Sequence, residues 1–363
     1  YHASDLAFMY PMLEMSPIDK IGVIQFPTYV YNASKENASR TAVRENKSNQ
    51  IYEEEIRNKK TYARCSSKLD LSVRKKLPQI NVCGDYRERN SIPTTFSYVY
   101  NRTFGEYDIT LFQDESILKY TRGEIEIPRG KLVADIHEPP YLFKQSDVIS
   151  ETLKHHERFD LILTYNEELL SLPNAQFRNG SGEVVLNKNV HKQTYPILQD
   201  TTLYQIYSKQ KNISFITSNK TFSSGHVFRL ECLNHLLSNN SQIEYFGVGI
   251  REILGKIEGL QNYRFSIAME NGISPNYFTE KILDCFLTGT IPIYHGCPNI
   301  NKFFNVDGII CFSSKDELQH IVNTVDETFY NSKLDAIREN FQIAQNFWWD
   351  NDRYFEKYLK KLL

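Results

Sequence analysis

Residues 263 to 296 read YRFSIAMENGISPNYFTEKILDCFLTGTIPIYHG. An apolar run of strand length ends at Glu270 and Asn271, a Gly/Ser/Pro loop follows, and Thr279-Glu280-Lys281 opens a new segment. There Ile282, Leu283, Phe286 and Leu287 recur at helical spacing, with Thr279 placed as N-cap and Gly289 just past the last turn. A second strand-sized run, TIPIY, comes next. Strand, loop, helix and strand in this order make one βαβ unit of a parallel sheet. Glu270 closes the first strand at its carboxyl end, where open α/β sheets place their ligands. Lys281 falls in the first helical turn, where free N–H groups and the helix dipole favour an anion, so the junction has the outline of a phosphate site. Spacing alone is equally well met by a solvated helix start.

Outward from this unit the same alternation continues. ISFITSN (213 to 219), IEYFG, RFSIAMEN, TIPIY and GIICF read as buried parallel strands, with helices over HVFRLECLNHLL and KDELQHIVNTV. Upstream, INVCGDY (80 to 86), DITLF (108 to 112), KLVADI (131 to 136) and FDLILTY (159 to 165) repeat the pattern, and SDVISETLKHHERF carries helical spacing between the last two. A polar stretch beginning FRNGSG reads as a linker. The expected layout is a polar N-terminal extension of unassigned role over 1–78, a Rossmann-like domain over 79–200, a second over 201–340, and a C-terminal helical segment over 341–363 that crosses back to brace the first domain.

The chain has 363 residues, 41% of them hydrophobic, which suffices for a full core and favours two domains over one. Its 42 basic and 44 acidic residues are interspersed, with a net charge of -2, so no basic face for nucleic acid is expected. The longest apolar runs are strand-sized, which argues against a transmembrane segment, and the first residues do not read as a signal peptide. Six scattered cysteines lack metal-ligand spacing and are expected to be mostly buried thiols. Eight Asn-X-Ser/Thr sequons suit a secretory-pathway protein, but an Asn-rich chain also produces them by chance, so the compartment stays open.

The whole 263–296 string resembles the donor-binding signature of the α1,3/4-fucosyltransferases, glycosyltransferase family 10. Tyr263, Phe265, Glu270 and Asn271 match its first block, Tyr277, Thr279, Glu280 and Lys281 the second, and Pro292 and Gly296 the third. Met269 stands where that family has an aromatic residue. The likeness is similar in strength over roughly 210 to 335, weaker over 130 to 172, and absent from the first 78 residues. It implies a GT-B fold, two Rossmann-like domains facing a cleft, and inverting transfer of a sugar, L-fucose from GDP-fucose, onto a hydroxyl of a glycan or glycoprotein. Transfer of another nucleotide sugar and an inactive carbohydrate- or nucleotide-binding module are the alternatives.

Such a reaction needs a base for the acceptor hydroxyl, stabilisation of an oxocarbenium-like carbon, and positive charge for the departing diphosphate. The resemblance assigns the base to Glu138 in HEPPY, with Asp114 and Glu115 as alternatives, and Glu270 to the anomeric carbon. Arg229 and Lys281 inherit the diphosphate without need of a metal or other cofactor, while Asn271, Tyr277 and Glu280 complete the donor-binding set. Tyr277 is equally readable as a packing aromatic. Asp350-Asn351-Asp352 spells a DxD pair of the kind that holds Mn²⁺ under a diphosphate, but its place in an amphipathic, aromatic-flanked segment favours a helix start.

Overall fold

The computed structural model describes residues 77–84, 95–102, 105–125, 129–139, 142, 144–180, 203–239, 242–347 and 351–363. Leu77–Leu363 form one compact unit. The extension expected over 1–78 lies almost wholly outside the described residues.

Two sheets, all of whose paired strands are parallel, organise the unit. The first has β1 (Gln79–Cys83), β2 (Ser97–Tyr100), β3 (Glu106–Gln113), β4 (Arg129–Asp135), β5 (Leu161–Thr164) and β6 (Ala175–Phe177), in the order β2-β1-β3-β4-β5-β6. The second has β7 (Lys211–Ile216), β8 (Ile243–Phe246), β9 (Tyr263–Met269), β10 (Ile291–His295) and β11 (Ile310–Cys311), in the order β11-β10-β9-β7-β8. The chain therefore has the α/β, two-sheet architecture that a GT-B fold requires. Helices α1 (Glu115–Thr121), α2 (Gln145–Lys154) and α3 (Glu167–Leu170) accompany the first sheet. The second is followed through α4 (Ser224–Asn239), α5 (Glu280–Phe286), α6 (Lys315–Thr324), α7 (Glu327–Asn331) and α8 (Leu334–Ala344), and α9 (Asn351–Tyr354) closes the chain with a π-turn at Phe355–Leu359.

Parallel strands covered on both faces must be apolar throughout, which is why β9 is buried at every position. On one face of the second sheet Phe265, Ile267 and Ile293 pack against Leu233 and Leu236 of α4 and Leu318 of α6. On the other, Ala268 and Tyr294 meet Ile282, Leu283 and Phe286 of α5. The brace expected from the C-terminus is present, but it starts later than residue 341. Ile337 and Ala344 of α8 belong to the second half, and Tyr354, Phe355, Tyr358 and Leu359, with Leu362 at their edge, return to cover Ile80, Val82, Ile109, Leu111 and Val133 of the first sheet. At about 2 kcal/mol for each large apolar side chain buried, that return is a strong tie between the ends of the unit.

Two short edge strands, β2 and β6, escaped the sequence reading because runs of four and three residues carry too little periodicity. The polar linker expected from Phe177 is also corrected at its start. Arg178 and Asn179 are 6% and 0% exposed, and Arg178 Nε lies 2.7 Å from Asp135 Oδ1, a buried charge neutralised by a partner at the end of β4. The remainder, 181–202, lies outside the described residues. Four of the five described cysteines are buried and all five are free thiols. Among the described residues no helix is long and apolar enough to cross a membrane.

Candidate active site

The junction between β9 and α5 is built around Glu270. Its carboxylate, 1% exposed, accepts the Thr279 N–H at Oε1 (2.9 Å) and the Thr279 hydroxyl at Oε2 (2.7 Å). The Tyr294 hydroxyl reaches Oε1 at 3.4 Å, and Lys281 Nζ stands 3.5 Å from Oε2. A charged oxygen pair taken from water requires such donors, and all of them come from the residues that form the junction. Gly296 is needed for the same fit, since a Cβ there would lie 2.5 Å from both Glu270 Cγ and the Tyr294 hydroxyl. Glu270 is thus a clamp on the strand-loop-helix turn. Both Glu270 oxygens are turned inward, and each accepts at least one of these donors.

Thr279 caps α5 as its sequence position requires, and Gly289 adopts φ 68°, a left-handed conformation that glycine takes without strain. Yet α5 has only seven residues, so its terminus contributes little field, and the cationic character comes from side chains. Lys281 Nζ bonds Thr279 Oγ1 at 3.0 Å and Glu280 Oε1 at 3.2 Å. Lys256 flanks them, 3.6 Å from Glu280 and 2.6 Å from Asp284 Oδ2. Burial pushes the Glu280 carboxyl up, but Lys281 and Lys256 outweigh it and hold it down to about 2. Burial, against the pull of Lys256, raises Asp284 to about 6.

From α4, Arg229 reaches the same place. It is 7% exposed, donates to Asn271 Oδ1 at 2.5 Å, and keeps a buried Nε with no hydrogen-bond partner among the described residues. Asn271 O accepts the Ser223 hydroxyl at 2.9 Å, tying the loop after β9 to the start of α4. Gly225 permits this approach, since a Cβ would collide with the Asn271 carbonyl. Arg229, Asn271, Glu280 and Lys281 are therefore brought together. Tyr277 stands apart in kind: it is 2% exposed, its ring meets Tyr165 edge-on at 4.9 Å, and it packs rather than presents a face.

Tyr165 leads to the first half. Its hydroxyl donates to Glu138 O at 2.8 Å, and the Asn276 amide donates to Tyr165 O at 3.2 Å. The Glu138 loop is held by Asp114, whose Oδ1 accepts the N–H groups of His137 (3.1 Å) and Glu138 (3.2 Å) and the Gln145 amide (3.0 Å). Asp114 sits at φ 42°, a costly backbone for a residue with a side chain, kept in place by these bonds. His137 Nδ1 lies 3.0 Å from Asp114 Oδ2. Burial opposes charge on His137, but Asp114 prevails and raises it to about 9, so it is an imidazolium at neutral pH. Among the described residues nothing bonds the half-buried Glu138 carboxylate itself, whereas Asp114 is spent and Glu115 is exposed on α1.

Asp114, His137 and Glu138 offer ligand atoms within 4.8 Å of one another. Within that set Asp114 Oδ1 accepts three N–H groups and Oδ2 faces His137 Nδ1, so its two acids and histidine are already tied to one another. Of the DxD pair, Asp350 lies outside the described residues, and Asp352 Oδ1 accepts the Thr95 N–H (3.0 Å) and hydroxyl (2.7 Å). The sequence reading placed Thr279 at the junction as the helix cap but did not single out Lys256 or Ser223, whose contacts come from segments distant in the chain.

Two parallel α/β sheets in one unit define a class, that of proteins with a GT-B-type architecture. Residues 206–359 match the family model described as Glycosyltransferase family 10 (fucosyltransferase) C-term, so the resemblance carried by residues 263 to 296 holds across that segment. The Helicobacter pylori alpha-(1,3)-fucosyltransferase FucT is 30% identical over 132 residues, 35% of this chain and 27% of that protein. A fucosyltransferase-like protein of Arabidopsis thaliana is 38% identical over 79 residues, 21% of this chain and 15% of its own length. The mouse 4-galactosyl-N-acetylglucosaminide 3-alpha-L-fucosyltransferase 9 is 28% identical over 140 residues, 36% of this chain and 37% of that enzyme. The chain thus spans well under half the length of these relatives. A crystal structure of an alpha1,3-fucosyltransferase with GDP overlays on 76% of this chain and 85% of its own at 17% identity and a TM-score of 0.46. That overlay is loose, and the architecture stands on the two sheets themselves.

Proposed function

We propose that the protein is an inverting glycosyltransferase that moves L-fucose from GDP-fucose to a hydroxyl of a glycan or glycoprotein. One observation carries the reading: Arg229 and Lys281 gather positive charge at the carboxyl end of the second sheet, while Glu138, across the Tyr165–Tyr277 contact, presents a carboxylate with no hydrogen-bond partner among the described residues. The names of the relatives support the choice of sugar. Glu138 takes the proton of the attacking hydroxyl, and Arg229 and Lys281 stabilise the diphosphate as its bond to carbon breaks, where preorganised charge acts most strongly. Glu280 and Asn271 serve donor binding, and Glu270 holds Thr279 and Lys281 in register. Two cations supply the charge a metal would otherwise provide, so no cofactor is required.

The test is donor choice. GDP at 100 times its dissociation constant should stabilise the fold by about 2.7 kcal/mol, seen as a raised Tm, and UDP by much less. Incubation with a panel of nucleotide sugars should release nucleotide fastest from GDP-fucose, and the rate should survive EDTA. Preference for UDP would replace fucose by another sugar, and loss of activity in EDTA restored by Mn²⁺ would place the charge on a metal.

A further inference from the structure

One titratable group at this site has no part in the scheme above. His226, in the first turn of α4, is 6% exposed. Its tautomer follows from hydrogen-bond bookkeeping. Ser223 Oγ lies 2.9 Å from Asn271 O, which can only accept, so the hydroxyl proton points there. The oxygen must then accept at its other contacts, the His226 backbone N–H at 3.2 Å and His226 Nδ1 at 2.7 Å. Nδ1 therefore carries the proton, and Nε2 of the neutral ring is a bare lone pair, with no hydrogen-bond partner among the described residues.

The charges that act on this ring are cationic on every side. Arg229 stands on its own helix, Lys220 on the loop after β7, and Lys281 on α5; Phe222 meets it edge-on at 6.1 Å, and the acids Glu270 and Glu280 face Arg229 and Lys281 instead. Burial and the three cations push His226 down to about 4, so the ring is neutral near pH 7. A diphosphate arriving between Arg229 and Lys281 reverses the sign of that field. A lone pair would repel a phosphate oxygen, whereas an imidazolium N–H would make a short charge-assisted bond with it. A tautomer swap is no substitute, since it would cost the Nδ1–H bond to Ser223.

We propose that His226 is a proton-accepting member of the diphosphate site: Nε2 takes one proton from solvent as a nucleoside diphosphate binds, joins Arg229 and Lys281 as a further cation on the departing phosphate, and returns the proton when the nucleotide leaves. This rests on the donor reading given above. The experiment is calorimetric titration of the full chain with GDP near neutral pH, in two buffers of different ionisation enthalpy. Wild type should take up more protons per GDP than His226→Gln, by up to about one. GDP affinity should rise as pH falls from about 8 to about 6, more steeply in wild type than in the variant, up to about tenfold per pH unit. Ionisation of the GDP phosphate is common to both proteins and cancels in the difference. A second readout needs no variant: in a nitrogen-15 spectrum of the wild-type imidazoles, one bare Nε2 signal should move to the protonated position as GDP is added. GDP binding with equal proton uptake in both proteins, or no such imidazole change, overturns the role of His226 and leaves the donor reading intact. Failure of wild type to bind GDP at all overturns both.

Discussion

At the end of β9, Glu270 turns inward and spends both oxygens on Thr279; at the end of β3, Asp114 turns inward and spends its own on the backbone of His137 and Glu138. The two halves share this device, a buried carboxylate that holds a loop by accepting N–H and O–H donors, yet they end in opposite chemistry. Glu270 leaves a cation, Lys281, beside it, whereas Asp114 leaves a second acid, Glu138, whose carboxylate is unbonded among the described residues. An acid at a strand end is scaffold when it is satisfied, and in the proposed function the reacting roles fall to the neighbours, Lys281 and Glu138.

The sharpest way to break the comparison is at the unbonded acid. Glu138→Gln should lower the transfer rate by about 10²- to 10⁴-fold, the usual contribution of a general base, with GDP affinity preserved. Wild-type transfer rates would move the base elsewhere and remove the asymmetry between the halves. On the other side, Lys281→Ala should cost about 10²- to 10³-fold in turnover, since its contact strengthens as the diphosphate departs. Steady-state kinetics at saturating acceptor distinguish this from Glu280→Gln, which should act on donor affinity. Near-normal turnover of Lys281→Ala would reduce the junction to a capped helix start.

The clamps themselves should show in stability rather than chemistry. Glu270→Gln places an amide where two donors expect oxygens and leaves Lys281 less well paired, at a cost of roughly 1–3 kcal/mol in chemical denaturation. Full stability with abolished transfer would mean that Glu270 meets the sugar after all. The smallest effect is on pH dependence. His137 is raised in the folded state, so its contribution is complete below an unfolded pKa of about 6.5 and is lost as pH rises through about 9. Asp114 is held down by His137 and its other donors, against the upward push of burial, so its share is present above an unfolded value of about 3.9 and is lost at more acid pH. Asp114→Asn should flatten the decline between neutral and alkaline pH, measured as denaturation midpoints. An unchanged alkaline slope would uncouple the pair.

The sequence by itself determined whatever depends on near neighbours. Apolar runs that cannot face water on either side became parallel strands, Thr279 capped α5, and Gly289 took the left-handed turn, because each is decided within a few residues. It also brought Arg229, Asn271 and Lys281 to one place through their position after β7 and β9. Only the tertiary structure decided which carboxylates are free. Glu270 and Glu138 look alike in sequence, each an acid just beyond a strand, and they part because Glu270 meets donors from Thr279, Tyr294 and Lys281, while those that might have satisfied Glu138 go to Asp114, 24 residues before it. Arg178 in a polar stretch became core because Asp135 waited at the end of a neighbouring strand. Burial of a charge is settled by partners that only the fold assembles, and spacing along the chain does not record them.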